Sequence, residues 1–428
     1  MKVLLVNTYD RGGASNSCIR LHKGLLEQGI DSKLLLLHKT KDIEKSYLFK
    51  NNPETINRSR SYYFKRIQQK TAKKLNLTFL KPRLSKEEVF SKNRAAGLEL
   101  FSYPYSKYDI TNSQLYQEAD IINLHWVAGF IDYESFFKKN KKPVIWTLHD
   151  MNPFTGGEHY SEIQYSINDS GLPKVRVYSD IEKMVSKKNL KLKMASLRDV
   201  KSMIIVSPSQ WLKNESQNSS LFKEFSTHLI PYGLDHKVFK RRDKRFSRDF
   251  FNIPANKKVI LFVADNIGNS RKGFEYLKKA CEGLERNDVI LCSIGFSKPN
   301  INSSIQTLHL GEIKDDRIMS LVYSLSDVFV IPSLMDNLPN TVLESLLCGT
   351  PVIGFPVGGI LDMIQNNLNG IITKDISVGA LEKSLNLFLE EGVESSSEEI
   401  SKNALEKYAL NIQAEKYIKL FNEILSTQ

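Results

Sequence analysis

The stretch from Ile331 to Ile364, IPSLMDNLPNTVLESLLCGTPVIGFPVGGILDMI, constrains the fold more than any other part of the sequence. Just before and into it, Val328 to Ile331 is a short apolar run closed by Pro332 and Ser333, the pattern of a buried strand. Leu334 to Leu338 reads as an irregular turn. Pro339 suits the first position of a helix, where its missing N–H would be unpaired anyway, and Leu338, preceding a proline, is biased to extended geometry. The helix is expected to run to Cys348 and stop at Gly349. Pro351 to Phe355 follows as another buried strand, and Gly358-Gly359 opens a turn. A strand, a turn and a helix N-terminus in this order make an anion site, because free N–H groups and the positive end of the helix dipole favour phosphate. Asp336 in the turn and Glu344 inside the helix flank that start. A carboxylate beside a phosphate site accepts hydrogen bonds from hydroxyls, so the set suits a sugar nucleotide. An ordinary strand–helix–strand unit with surface acids accounts for the same residues equally well.

A chain of 428 residues is too long for one ordinary core, so two domains are expected. No apolar run approaches the length of a membrane helix. The opening MKVLLVNTYDRGG reads as a first strand rather than a signal peptide. Cys18, Cys281, Cys292 and Cys348 are scattered without metal-like pairing and suit reduced thiols in a cytoplasmic protein. The net charge of +12 admits nucleic acid, a membrane surface or phosphorylated substrates as partners. Basic residues are densest from Lys65 to Arg94, where a solvated face is the simpler reading.

Along the chain, strands are expected at Val3 to Val6, Lys33 to Leu37, Ile121 to Trp126, Val144 to Leu148, Ile204 to Val206, Val259 to Val263, Val289 to Gly295 and Thr307 to Leu310. Between the first two lies the turn NTYDRGGAS, then a helix from Ser17 to Gln28. Gly12 and Gly13 permit close approach of backbone to a ligand, but without a third glycine they do not form the dinucleotide fingerprint. His125 and the pair His149-Asp150 end two of these strands, the ligand-binding edge of a parallel sheet. For His125 a satisfied core residue is the simpler reading; for His149, Asp150 is a candidate to orient the ring. The charged passage LDHKVFKRRDKR reads as a domain linker. Arg271 and Lys272, in a polar turn before the helix Tyr276 to Leu284, have the charge to neutralise a pyrophosphate, although such a pair is more often solvated surface. Two helical stretches are expected after Gly370, the last with Tyr417, Ile418, Phe421, Ile424 and Leu425 on one face. Residues 40 to 116 are poorly patterned, basic and aromatic. The clusters Tyr62-Tyr63-Phe64-Lys65-Arg66 and Phe79-Leu80-Lys81-Pro82-Arg83 are candidates there for acceptor or membrane contact, or for amphipathic helices packed on the domain.

Asp336 and Glu344 with seven residues between them, followed by Gly349-Thr350-Pro351-Val352, resemble the donor-binding signature of the retaining, family-4 glycosyltransferases (glycosyl transferases group 1). The family usually has Glu at the first position, where this chain has Asp336. The DNLPN run and WTLHDMNPFTGGEHY, which contains His149, resemble the subgroup building bacterial exopolysaccharides of the colanic-acid type. The resemblance implies an α/β protein of GT-B fold, two Rossmann-like domains facing across a cleft. Residues 1–232 would form the acceptor domain, 233–405 the nucleotide-sugar donor domain, and 406–428 a C-terminal helix returning to the first domain.

The same resemblance assigns roles. Arg271 and Lys272 would hold the donor diphosphate, Asp336 the sugar hydroxyls and Glu344 the ribose, with His149 facing the donor sugar. Gly12 and Gly13, Asn337 and Leu338, and the helix start at Asn340 and Thr341 would complete the donor site. No metal and no cofactor is implied beyond the nucleotide-diphosphate sugar, UDP- or GDP-linked, that serves as donor. Glu158 stands where relatives often have a cysteine, so no metal cluster is expected. The implied acceptor is a saccharide or lipid-linked saccharide in cell-surface polysaccharide synthesis, with peripheral contact to anionic membrane and no nucleic acid. A sugar-nucleotide epimerase on the same fold, and a non-catalytic polyanion-binding protein, are the competing readings. Product released without an acceptor marks the first, and salt-sensitive polyanion binding without nucleotide binding the second.

Overall fold

The computed structural model describes residues 1–50, 86–161, 164–201, 203–296, 298, 301 and 305–426. The aromatic–basic clusters at 62–66 and 79–83 lie outside the described residues.

Two parallel sheets carry the chain. The first contains β1 (Lys2–Tyr9), β2 (Asp31–His38), β3 (Ser46–Leu48), β4 (Ile121–Leu124) and β5 (Val144–Thr147). A two-stranded antiparallel hairpin, β6 (Gln164–Tyr165) and β7 (Lys174–Val175), stands apart from it. The first sheet is completed by β8 (Met203–Ser207) and β9 (Thr227–Leu229), in the order β3-β2-β1-β4-β5-β8-β9. The second contains β10 (Lys258–Val263), β11 (Val289–Ile294), β12 (Gln306–His309), β13 (Val328–Ile331), β14 (Val352–Gly354) and β15 (Gly370–Ile372), in the order β12-β11-β10-β13-β14-β15. All pairings in both sheets are parallel. Helices cover both faces, so the strands are buried on both sides and read as unbroken apolar runs; all six residues of β11 are buried.

Strand order reverses direction between β1 and β4 in the first sheet and between β10 and β13 in the second. In open parallel sheets the crevice beyond the strand ends at such a switch point is where ligands bind. The loops after β1, β4, β10 and β13 carry Gly12, His125, Arg271 with Lys272, and Asp336, while His149 and Asp150 follow β5.

The chain crosses between the two halves twice, side by side. Leu234 N–H donates to Tyr408 O (2.8 Å), and Leu410 N–H donates to Leu234 O (3.0 Å). The helix Leu410–Ser426 then lies on the first half, burying Tyr417 and Phe421 among Val3, Leu5, Leu21 and Leu25. All five residues of the expected stripe fall in that apolar cluster or against it.

Some boundaries differ from expectation for local reasons. The first helix is Gly13–Glu27 and not Ser17 to Gln28: Gly12, at φ +87°, is its N-cap, so the glycine pair is the helix entry and not a separate turn. Pro339 is the N-cap of the helix Asn340–Leu347 and not its first residue. Three helices, not two, follow Gly370: Val378–Glu391, Ser397–Tyr408 and Leu410–Ser426. The presumed linker is not loose: Leu234 is in the second core, and the helix Lys244–Phe250 anchors Arg248 on Asp327. Among the described residues no helix is long and apolar enough to cross a membrane.

Candidate active site

The switch point of the second sheet brings the acid of the turn and the basic pair together. Arg271 and Lys272 lie in the 3-10 turn Ser270–Lys272, capped by Asn269, whose side chain accepts from Arg271 N–H at 2.9 Å. Asp336 lies in the turn after β13. Its Oδ2 is 2.6 Å from Lys272 Nζ and 3.3 Å from an Arg271 terminal nitrogen. The two loops touch because Gly273, at φ +71°, stands against the Pro332 carbonyl; a Cβ there would lie 1.7 Å from that oxygen. Burial alone would raise the Asp336 pKa, but Lys272 and Arg271 outweigh it and hold the carboxyl below its ordinary value. Arg271 is half-buried, with its guanidinium carbon 4.8 Å from the Tyr160 ring centroid.

Across the crevice, two helix N-termini meet. Asn340 Nδ2 donates to Gly13 O at 3.0 Å, and its Oδ1 accepts from Arg20 at 3.1 Å. Arg20 also reaches Glu344 Oε1 at 2.9 Å, while Tyr323 Oη donates to the other Glu344 oxygen at 3.1 Å. Burial keeps the Glu344 carboxyl above its ordinary pKa despite Arg20. The helix N-terminus at Asn340, with Thr341 in its first turn, thus faces the one at Gly12 and Gly13.

Several expected roles need correction. Leu338 is buried in the second apolar core, where its side chain packs the turn. Asn337 spends its side chain between the halves: it accepts from Ser209 Oγ (2.6 Å) and donates to His149 O (3.1 Å). Asp150 does not orient His149. Its carboxylate accepts from Trp126 Nε1–H (2.8 Å) and Asn152 N–H (2.9 Å) and pairs with His159 Nδ1 (2.6 Å). His149 instead bonds His125 (3.0 Å) and the Tyr232 hydroxyl (2.7 Å). His125 is buried, as read, but it is a partner of His149 and not merely a packed side chain. Glu158 is held by Arg94 (2.5 Å) and Arg176 (2.8 Å). Among the described residues no cluster of three His, Cys, Asp or Glu has the arrangement to hold a metal ion.

Arg20 and Glu99 were not singled out. Arg20 shares a helix face with Gly13 and Ser17, a four- and seven-residue spacing legible in sequence. Glu99 bonds Arg271 from an unpatterned segment, and nothing local marks it.

Residues 243–407 match the family model of glycosyl transferases group 1. An uncharacterised glycosyltransferase of Methanocaldococcus jannaschii is 24% identical over 267 residues, 59% of this chain and 61% of that protein. The N,N'-diacetylbacillosaminyl-diphospho-undecaprenol alpha-1,3-N-acetylgalactosaminyltransferase of Campylobacter jejuni is 30% identical over 182 residues, 41% of this chain and 47% of that protein. The chain thus spans less than two thirds of the length of either relative. Among solved structures, Anabaena HepE in complex with UDP-glucose superposes with a TM-score of 0.64 at 15% identity, covering 99% of this chain and 100% of that one. That likeness concerns the fold, which is GT-B: two Rossmann-like domains facing across a cleft. The matched range, 243–407, spans the positions of Arg271, Lys272, Asp336 and Glu344.

Proposed function

We propose that this protein is a retaining glycosyltransferase that moves a sugar from a nucleotide-diphosphate donor, UDP- or GDP-linked, to a saccharide or lipid-linked saccharide acceptor in cell-surface polysaccharide synthesis. The observation that carries the reading is the meeting of Arg271, Lys272 and Asp336 at the switch point of the second sheet, opposite two helix N-termini. Arg271 and Lys272 stabilise the negative charge that develops on the leaving diphosphate, aided by the N–H groups at Asn340 and Thr341. Lys272 Nζ pairs with Asp336, and when it turns to phosphate Arg271 remains beside that carboxylate. Asp336 then accepts from donor-sugar hydroxyls and Glu344 from the ribose. Attack from the face of the departing phosphate retains configuration, with that phosphate taking the acceptor's proton and no carboxylate nucleophile needed. Closure of the two halves excludes water and limits donor hydrolysis.

The acceptor side belongs to residues 1–232 and the donor side to residues 233–405 in this reading, with work at the cytoplasmic face of a membrane. Supporting the membrane contact, the helix Asp180–Leu197 and the hairpin before it expose Val175, Val177, Ile181 and Met184 beside Lys174, Lys183, Lys187, Lys188 and Lys191. Apolar tips ringed by cations suit an anionic lipid surface.

A thermal-shift screen with UDP, GDP, ADP and CMP and their sugar conjugates tests the donor class. A diphosphate at about a hundred times its dissociation constant stabilises by about 2.7 kcal/mol. A rise with one nucleoside diphosphate supports the reading, and no rise with any of them contradicts it.

A further inference from the structure

In the proposed reaction Glu344 accepts from the ribose, yet both of its oxygens already have a protein donor. Arg20 reaches Oε1 at 2.9 Å, and the Tyr323 hydroxyl reaches Oε2 at 3.1 Å. An ionised carboxylate has about four acceptor positions, so about two stay open. That number suits the two neighbouring hydroxyls of one ribose. The two protein donors differ in origin. Tyr323 is buried in the helix Asp316–Leu325, beside Glu344 in the second half. Arg20 comes from the first half, on the helix Gly13–Glu27.

Arg20 is fixed more firmly than a surface ion pair. Its guanidinium spans two residues one helical turn apart, Asn340 at 3.1 Å and Glu344, and its central carbon stands 5.4 Å from the Phe239 ring centroid. The Arg20 and Glu344 side chains are only 13% and 12% exposed. Asp316 lies 3.9 Å from the same guanidinium, at the solvent edge. Burial drives the Glu344 carboxyl toward its neutral form, and Arg20 pulls against it. Without Arg20 that carboxyl would have Tyr323 alone, free to turn and readier to hold a proton. A neutral carboxyl is a weaker acceptor for hydroxyls than a carboxylate.

We propose that Arg20 is a positioning residue for nucleotide recognition: from the first half it aims the Glu344 carboxylate of the second, so the ribose hydroxyls are read only where the two halves meet. The inference rests on the glycosyltransferase reading and its ribose role for Glu344, and it adds a residue from outside the matched range 243–407. A mere clasp between the halves would use the same contacts. The sugar of the nucleotide tells the two apart. Loss of a clasp changes affinity for a nucleoside diphosphate and its 2′-deoxy form alike. Loss of a positioning residue weakens the ribonucleotide and leaves the deoxy form nearly untouched.

Calorimetry with UDP, GDP and their 2′-deoxy forms is measured on wild type, Arg20→Ala, Arg20→Lys and Glu344→Gln, with circular dichroism to check the fold. Wild type should prefer the ribonucleotide by about 10-fold. Arg20→Ala and Glu344→Gln should each reduce that preference to about twofold or less. Arg20→Lys keeps the charge without the fork that spans Asn340 and Glu344, and should fall between. Should Arg20→Ala not fold, Arg20→Lys decides alone, and an undiminished preference there overturns the inference. An undiminished preference in Arg20→Ala beside a lost one in Glu344→Gln also overturns it, and leaves the ribose role of Glu344 standing. Equal weakening of ribo and deoxy forms in Arg20→Ala overturns it in favour of a clasp. An undiminished preference in Glu344→Gln refutes the ribose role itself, and no binding of either nucleotide to wild type refutes the glycosyltransferase reading; the inference falls with each.

Discussion

Glu99 Oε1 lies 2.5 Å from Arg271 Nε and 3.1 Å from Asn269 Nδ2. A carboxylate from the first half thus occupies the guanidinium on which the proposed diphosphate site depends. Burial would raise the Glu99 pKa, but Arg271 outweighs it and keeps the carboxyl ionised. Phosphate must compete with that charge. Glu99→Gln keeps the shape and removes the charge, so UDP should bind about fivefold more tightly, roughly 1 kcal/mol. Calorimetry measures it. Weaker binding in the variant would show that Glu99 aims Arg271 and does not compete for it.

The buried imidazoles predict a particular acid sensitivity. Burial depresses the His149 pKa from 6.5 to about 4, against the opposing pull of Asp150. Above pH 6.5 the ring is neutral whether the chain is folded or not. Below it the unfolded chain takes up a proton that the folded one refuses, so stability falls as pH drops from 6.5 toward 4, by roughly 3 kcal/mol for this residue alone. Asp336, with its pKa lowered, is ionised in both states over most of that window and loses its contribution only at more acid pH. Urea midpoints at pH 7 and pH 5 read the effect, and equal midpoints would refute the buried neutral ring.

Backbone contact at the second switch point predicts a steric cost. A Cβ on Gly273 would lie 1.7 Å from Pro332 O, at φ +71°. Gly311 shares that φ but has nothing within 4 Å of the same position. Gly273→Ala should therefore lose about 2–4 kcal/mol, and Gly311→Ala only about 1 kcal/mol. Denaturant unfolding of both variants compares them directly, and equal losses would mean that φ alone sets the cost.

The exposed cations of the helix Asp180–Leu197 predict lipid binding that fails in salt. Replacing Lys187, Lys188 and Lys191 by Glu should abolish co-sedimentation with phosphatidylglycerol vesicles, since each lysine near such a surface contributes about 1 kcal/mol. Wild type should not sediment with neutral phosphatidylcholine vesicles. Equal sedimentation of wild type and variant would place the contact elsewhere.

Much of this architecture was legible because buried parallel strands leave apolar runs. The strand Val328–Ile331 falls where the pattern puts it. The helix Ser397–Tyr408 was missed although Ser396 and Glu399 form a capping box, a signal of fixed spacing. The residue types of the phosphate site were legible too, since Arg271, Lys272 and Asp336 stand beside strand ends. Their pairings were not. Arg20 and Glu344 are 324 positions apart, and Glu99 and Arg271 are 172 apart. Such contacts depend on how two separately folded sheets face each other, which no local pattern encodes. Asp150 shows the same limit at short range: adjacency suggested His149, but the chain turns and brings His159 to it.

In the proposed reaction Arg271 and Lys272 form a diphosphate site completed by Glu344. Calorimetric titration of UDP and of GDP into wild type, Lys272→Ala and Glu344→Ala tests it most directly. One of the two nucleotides should bind wild type with one site, and each substitution should weaken it by about 10-fold or more while circular dichroism stays unchanged. Wild-type affinity in both variants, with the nucleotide bound, would put the donor somewhere other than the switch point of the second sheet.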